Sequence, residues 1–165
     1  MSDCRLITLA ASIAGALNAA QPTQPDPPDD PLPSPFVLPF TATVRIRPVV
    51  KLETMGDELL VYLVADPGGG EERQGGLESG LFVGDYTCNL VVQRRVTLDE
   101  AGDLACRQLL LLAEQLRDYL KDGGLDAAGA TGVLIEVDDS PAYDMDWLLN
   151  KRCFLSVQAL TFRVI

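Results

Sequence analysis

Carboxylates are concentrated in one short stretch of the sequence. Asp138, Asp139, Asp144 and Asp146 lie within nine residues, on either side of Pro141. Oxygen ligands of this kind bind Ca²⁺ or Mg²⁺, and two carboxylates held apart in a cleft can hydrolyse glycosides. The stretch lacks the ligand spacing and the turn glycine of an EF-hand loop. The pattern therefore favours a solvated acidic turn over a metal site or a hydrolase.

Histidine is absent from the 165 residues. Its absence removes the usual general base near neutral pH and the commonest metal ligand. The cysteines form no CxxC pair; they are Cys4, Cys88, Cys106 and Cys153. We interpret them as free core thiols in a reducing compartment, with a disulfide or, less favoured without histidine, a catalytic thiol as alternatives. We expect no enzymatic activity and no cofactor.

The charge balance is strongly acidic. The chain has 13 basic and 24 acidic residues, a formal charge of −11. This argues against a surface that grips nucleic acid, which needs clustered Lys and Arg, but it is compatible with a surface past which DNA slides. The apolar stretch 1–20 lacks the positive segment of a signal peptide, and no other run approaches the roughly 18 apolar residues of a membrane span. We expect synthesis in the cytoplasm and no membrane partner.

One predicted strand is basic on one face. In "FTATVRIR", at 40–47, one alternating set is apolar and consists of Phe40, Ala42, Val44 and Ile46. The other set is Thr41, Thr43, Arg45 and Arg47. Alternation of this kind is typical of a strand with one buried face. The basic face has two interpretations: a solvated surface that keeps the sheet soluble, or a contact in which Arg45 and Arg47 meet acidic groups of a partner.

Two segments are rich in proline or glycine. The residues at about 21–39 hold most of the prolines, which predicts an extended arm or connecting loop, with an arm that reaches across a neighbouring subunit as the alternative. An SH3-ligand role is disfavoured because no basic residue flanks the prolines. The residues at about 67–80, "PGGGEERQGGLESG", predict a loop. This loop joins strand to strand without a lysine, so it does not match a phosphate-binding loop.

The remaining pattern predicts a single domain over 1–165. A first helix has Leu6, Leu9 or Ala10, Ile13, Leu17 and Ala20 on one side, and a second has Leu104 or Ala105, Leu109, Leu112, Leu116 and Leu120. Thr97 and Glu100 have the spacing of a capping box that opens the second helix. With the strands between them, the order is α-β-β-β-α-β-β. We predict an α+β fold, with a mixed, mainly antiparallel sheet of about five strands and two helices packed on it.

The final strand, from Cys153 onward, is apolar on both faces. One set reads Cys153, Leu155, Val157 and Ala159, and the other reads Phe154, Ser156, Gln158, Leu160, Phe162 and Val164. Strands of this composition are interior strands that are covered on both sides. We expect helix on one side and further protein on the other.

The C-terminal third, "DDSPAYDMDWLLNKRCFLSVQALTFRVI", resembles the end of small tail-completion proteins of tailed bacteriophages. In that family a D-x-P-(I/V/A)-Y turn leads through a leucine-bearing segment and an R-x-F pair into an S-x-x-x-L-T-(F/Y)-R strand. The matching residues here are Asp139, Pro141, Tyr143, Leu148, Arg152, Phe154, Ser156, Leu160, Thr161, Phe162 and Arg163. The earlier "YTCNLVVQRRV" also resembles a strand of that family. The resemblance covers roughly residues 80–165, and its motifs are packing motifs.

The resemblance implies a tail terminator, a structural virion protein that forms a ring, probably sixfold, at the head-proximal end of the tail tube. Such a ring stops tube growth, joins the tube to the head connector or adaptor protein, and leaves a lumen through which DNA passes unbound. It implies a place in the virion neck, after assembly in the host cytoplasm. The alternatives are another head–tail connector component and a soluble binding domain unrelated to phage. Candidate interface residues are Arg45, Arg47, Asp144, Asp146 and Arg152.

Overall fold

The computed structural model describes residues 5–21, 35–47, 55–74, 82–122, 132–139 and 141–164 of the chain. The helices in this part are α1 (Arg5–Ala19), α2 (Glu100–Lys121) and α3 (Met145–Lys151). The strands are β1 (Ala42–Arg45), β2 (Leu60–Gln74), β3 (Phe82–Arg95), β4 (Gly132–Asp138) and β5 (Cys153–Val164). The predicted α+β class is confirmed. The segment after β4, predicted as a turn, contains the short third helix α3.

The five strands form one sheet in the order β1-β2-β3-β5-β4. β1 runs parallel to β2, and every other pair of neighbours is antiparallel. β3 and β5 pair over twelve consecutive residues, from Gly84 opposite Val164 to Arg95 opposite Cys153. The predicted mixed, mainly antiparallel sheet is confirmed. β5 lies between β3 and β4, so it is an interior strand of the sheet, as predicted.

The two longer helices cover one face of this sheet. α1 packs on β1, β2 and β3, whereas α2 packs on β4 and β5. The buried side of α1 consists of Leu9, Ala10, Ile13, Ala14, Ala16 and Leu17, and that of α2 is centred on Leu109, Leu112, Leu116 and Leu120. Both predicted apolar sides are confirmed. Of the two residues that the pattern offered for the first buried position of α2, Ala105 is half-buried and Leu104 is 60% exposed. None of the described helices is long and apolar enough to cross a membrane.

The edge strand β1 is attached to α1 by one side chain. Asn18 Nδ2 donates to the Ala42 carbonyl at 2.9 Å, and Asn18 Oδ1 accepts from the Ala42 amide at 2.7 Å. Both backbone groups of Ala42 are therefore satisfied from the helix. Gln21 Oε1 likewise accepts from the Phe40 amide at 2.9 Å. These bonds fix the end of α1 against the beginning of β1.

The predicted proline-rich arm, 21–39, lies mostly outside the described residues. Near its end Phe36 is buried, and its ring centroid lies 5.1 Å from that of the buried Phe40, which directly follows the segment. The Phe36 ring also meets Tyr119 edge-on at 5.5 Å, and the Val37 amide donates to Gln115 Oε1 at 2.7 Å. The end of this segment is therefore part of the core rather than an extended arm.

The glycine-rich loop predicted at 67–80 is wrong in its first half. β2 continues to Gln74, and residues 70–74 pair with β3. The register shifts between Ala65 and Gly70, where the additional residues are accommodated as an irregularity in the strand. Bulges of this kind tolerate glycine, so the glycine run interrupts the ladder without ending it. Residues 75–80 lie outside the described part of the chain.

The predicted capping box at the start of α2 is also wrong. The N-cap is Asp99, with extended backbone (φ −132°, ψ −174°), and its carboxylate accepts from the Gly102 amide at 2.8 Å. The Thr97 hydroxyl donates to the same carboxylate oxygen. Thr97 therefore supports the cap from outside the helix, and Asp, one of the strongest N-cap residues, takes the position itself. The chain passes so closely that a Cβ at Gly102 would lie 1.6 Å from the Thr97 carbonyl oxygen.

Two glycine-to-alanine substitutions test this close approach. Gly102→Ala should lower the free energy of unfolding by about 1–3 kcal/mol, because the methyl group forces the α2 start away from Thr97. Gly15→Ala, at a helical position where a Cβ meets nothing within 4 Å, should raise it by roughly 0.5–1 kcal/mol. Urea unfolding of both variants measures the difference. Equal stability of Gly102→Ala and wild type would contradict the contact.

The Asp99 cap should make stability depend on pH. Hydrogen bonds from the Thr97 hydroxyl and then the Gly102 amide hold the pKa of Asp99 below its ordinary value of 3.8. A lowered folded pKa stabilises the fold above the unfolded value, and this contribution is lost as pH falls through the folded pKa. Asp99→Ala should therefore unfold at lower urea concentration than wild type at pH 7, with a smaller difference at pH 3.

The control is Asp99→Asn, which keeps an acceptor for the Gly102 amide but does not titrate. Its stability relative to Asp99→Ala should stay nearly constant over the same pH range. A wild-type advantage over Asp99→Ala that is unchanged between pH 7 and pH 3 would show that Asp99 titration does not contribute.

Candidate subunit interfaces

The sheet face opposite α1 and α2 is only partly covered. A second apolar cluster on this face consists of Tyr62, Val64, Val91 and Leu155, with Leu60 and Trp147 packed against it. Val91 and Gln93 of β3 alternate with the core-facing Leu90 and Val92, and they are buried on this second face. The Tyr62 hydroxyl donates to Gln93 Oε1 at 2.9 Å. Trp147 of α3 also packs against this cluster. The sequence pattern of β3 alone could not show that a residue of α3 buries its second face.

Further along the same face the cover ends. On β5, Cys153 and Leu155 are buried, whereas Val157 is 43% exposed and Ala159 is half-buried. Within one copy, both faces of this strand are therefore covered at its beginning, and from Val157 onward one face is not. The next pairs are polar: Thr87 and Thr161 hydroxyls lie 3.0 Å apart, and beyond them Arg163 binds Asp85 through two hydrogen bonds of 2.9 and 3.1 Å.

An acidic cavity lies beside the uncovered part of β5. Its volume is about 280 Å³, and it is lined by Asp138, Pro141, Asp144, Leu155, Val157 and Ala159. Leucine, valine, alanine and proline supply apolar walls, and the two carboxylates supply negative charge. We call this feature the acidic cavity. It combines β4, β5 and the segment before α3, and so it lies toward the β4 edge of the sheet.

The four carboxylates of the acidic turn have separate roles. Asp144 is the N-cap of α3 and accepts from the Trp147 amide at 3.0 Å, while Asp146 accepts from the Asn150 amide group. Asp139 binds Arg117 of α2 at 2.7 Å. Asp138 is exposed and lines the acidic cavity with Asp144. In the described part of the chain, no group of three or more such side chains could hold a metal ion.

The predicted interface residues Arg45 and Arg47 lie at the opposite edge of the sheet, on and just after β1. Both are exposed. The Arg45 guanidinium lies 5.2 Å from the centroid of the Tyr62 ring, over its face. Ile46 was predicted to point inward, but β1 ends at Arg45 and Ile46 is 81% exposed. We call Arg45, Ile46 and Arg47 the β1 tip.

Arg152 belongs to a third feature. It ends α3 in the left-handed conformation (φ 49°, ψ 45°), which is uncommon for a residue other than glycine. Arg152 and the preceding Lys151 help to line a cavity of about 500 Å³ at the start of α2. We call this feature the basic cavity. The charged residues that line it are Arg94, Arg95, Lys151, Arg152 and Asp57. Three of these cations, Arg94, Arg95 and Lys151, were missed by the sequence analysis.

The two basic pairs that form this cavity are visible in the sequence as "RR" at 94–95 and "KR" at 151–152. The register brings them together, because Arg95 pairs with Cys153 and Arg94 with Phe154. The first pair ends β3, and the second directly precedes β5. The sequence would have indicated the cavity only if β3 and β5 had been known to be neighbours. Lys151 also places its ammonium 3.9 Å from the centroid of the Trp147 ring.

The residues that carry the family resemblance form one packed unit. Phe154, Ser156, Leu160 and Phe162 are buried in β5, and Tyr143 stacks on Phe154 with ring centroids 5.8 Å apart. Asp139 and Arg163 make the ion pairs with Arg117 and Asp85. The motif thus fixes α3 and the preceding turn onto β5. Its residues act in packing, and Arg152 also lines the basic cavity.

Comparison with models of protein families gives no match to this chain, and comparison with curated proteins gives none either. The functional assignment therefore depends on the residues described above.

The buried Tyr62–Gln93 pair gives a test of the second face. Tyr62→Phe should lower the free energy of unfolding by about 1–3 kcal/mol, because Gln93 Oε1 loses its donor in a buried position. The double variant Tyr62→Phe/Gln93→Met should regain most of that loss. It removes both partners together with the rest of the buried Gln93 amide group. Urea unfolding distinguishes the two variants, and a double variant less stable than Tyr62→Phe would contradict the proposed pairing.

Proposed function

We propose that the chain is a structural virion protein of a tailed bacteriophage, a tail terminator subunit that assembles with its own copies into a ring at the head-proximal end of the tail tube. The observation that carries the proposal is the C-terminal resemblance. The residues that match the family's motif, from Asp139 to Arg163, lie in the turn, in α3 and in β5, the strand that pairs with both β3 and β4.

The distribution of charge supports a self-associating subunit. The chain has a formal charge of −11, yet the β1 tip and the basic cavity collect cations at two places. The acidic cavity lies near the other edge of the sheet. Opposite charges on separate surfaces of one chain favour a head-to-tail contact, the type from which rings are built.

The overall acidic charge also fits a ring with a lumen. DNA and the chain are both negatively charged, so an acidic lining repels the phosphate backbone and does not retain it. In the proposed ring, DNA passes through without specific binding. The tail tube protein and a head connector or adaptor protein occupy the two rims, and assembly takes place in the host cytoplasm.

Electron microscopy of native particles and purified tails tests the proposal, with this chain located by a small fused tag. We expect a closed ring of copies on the head-proximal end of the tail tube, around a lumen wide enough for duplex DNA. Native mass spectrometry of the purified chain should give one discrete oligomer, with six copies expected.

The alternative assignments predict other positions. A ring seated directly on the portal, with no contact to the tail tube, would identify a head-side connector component instead. Absence of the chain from every particle would contradict a virion role.

We expect tails of uncontrolled length in a phage that lacks the chain, because growth of the tube is no longer stopped.

A further inference from the structure

The acidic cavity has the chemistry of a binding site for an arginine side chain. Its walls are the apolar side chains of Leu155, Val157 and Ala159 with Pro141, and its charge comes from Asp138 and Asp144. An arginine buries its aliphatic stem against apolar surface and offers a planar donor group to carboxylates. Asp144 uses one carboxylate oxygen as the α3 cap, and a carboxylate accepts several hydrogen bonds.

The β1 tip carries an arginine suited to such a cavity. Arg45 is already placed over the Tyr62 ring. Arg47 lies two residues further, past the end of β1, and is exposed. Between them, Ile46 is 81% exposed, and Val157 in the wall of the acidic cavity is 43% exposed. A contact between these regions would cover apolar surface in addition to pairing charges.

The two features do not meet within one copy. β1 is one edge of the sheet, and the acidic cavity involves β5 and β4, the last two strands at the other edge. With strands about 4.8 Å apart, four intervals separate the edges by roughly 19 Å. A surface at one edge that complements a surface at the other is a heterologous pair, which repeats from copy to copy and closes into a ring when the rotation allows.

We propose that Arg47 of one copy enters the acidic cavity of the next copy, where its guanidinium pairs with Asp138 and Asp144 while Ile46 covers Val157. The inference rests on the proposed function, because it names the contact that joins neighbouring ring subunits. It assigns the predicted interface residues Arg47 and Asp144 to the two sides of one contact. Arg45 supports the tip through Tyr62.

Charge reversal tests the contact in the full chain. The two single variants are Arg47→Glu at the tip and Asp138→Lys in the cavity, which leaves the Asp144 cap intact. Each should raise the dissociation constant of the oligomer by at least about tenfold, measured by native mass spectrometry and analytical ultracentrifugation. Circular dichroism and thermal unfolding of the diluted monomers establish that both variants fold.

The double variant Arg47→Glu/Asp138→Lys restores one pair of opposite charges at every contact of a ring while Asp144 stays negative, so assembly should recover part of the way toward the wild-type dissociation constant. Arg107→Glu is the matched control. It makes the same charge change at an exposed position of α2, on the other face of the sheet, and should assemble as wild type.

The outcomes separate the two proposals. A wild-type chain that stays monomeric at high concentration contradicts the proposed ring itself. A wild-type ring that persists in both single variants overturns only the Arg47 contact. Loss of assembly in the single variants without recovery in the double variant also overturns it, because the residues then act through some other partner.

Discussion

The pairing of β3 with β5 is the constraint on which the other features of this structure depend. Twelve consecutive pairs determine which side chains face the two long helices and which face the second side of the sheet. A shift of one residue would exchange the two faces and place Cys153 and Leu155 where Phe154 and Ser156 now lie. The same register sets Asp85 opposite Arg163 and Thr87 opposite Thr161. The register of β3 and β5 therefore determines both which side chains pack in the core and which polar pairs form on the surface.

The sequence was most informative where periodicity reflects one dominant core. The buried sides of α1 and α2 and the inward set Tyr86, Cys88, Leu90 and Val92 follow directly from helical and alternating spacing. The same approach failed where a distant element supplies the cover. Val91 and Gln93 are buried because Tyr62 and Trp147 lie nearby on the second face, which no local pattern contains. The continuation of β2 through its glycines was missed for a similar reason, since the partner strand holds it in the sheet.

The candidate interfaces were predictable in part. Arg45, Arg47 and the acidic turn are evident as charged residues, but the sequence does not show that they occupy opposite edges of one sheet. It also does not show that Asp139, Asp144 and Asp146 are engaged with Arg117, Trp147 and Asn150. The basic cavity required the register of β3 and β5. In the proposed ring every copy carries a large negative charge, so copies would repel one another at long range and association would depend on short-range complementary contacts whose strength varies with ionic strength.

The parallel pairing of β1 with β2 has a consequence for the order in which the structure opens. Parallel pairing is slightly less stable per residue than antiparallel pairing. β1 pairs with β2 over only four residues, and both backbone groups of Ala42 are bonded to Asn18 of α1. The edge strand and the end of the first helix are therefore joined directly by these bonds, in addition to their shared packing against β2. Under native conditions they should exchange their amide hydrogens as one cooperative unit, ahead of β3 and β5.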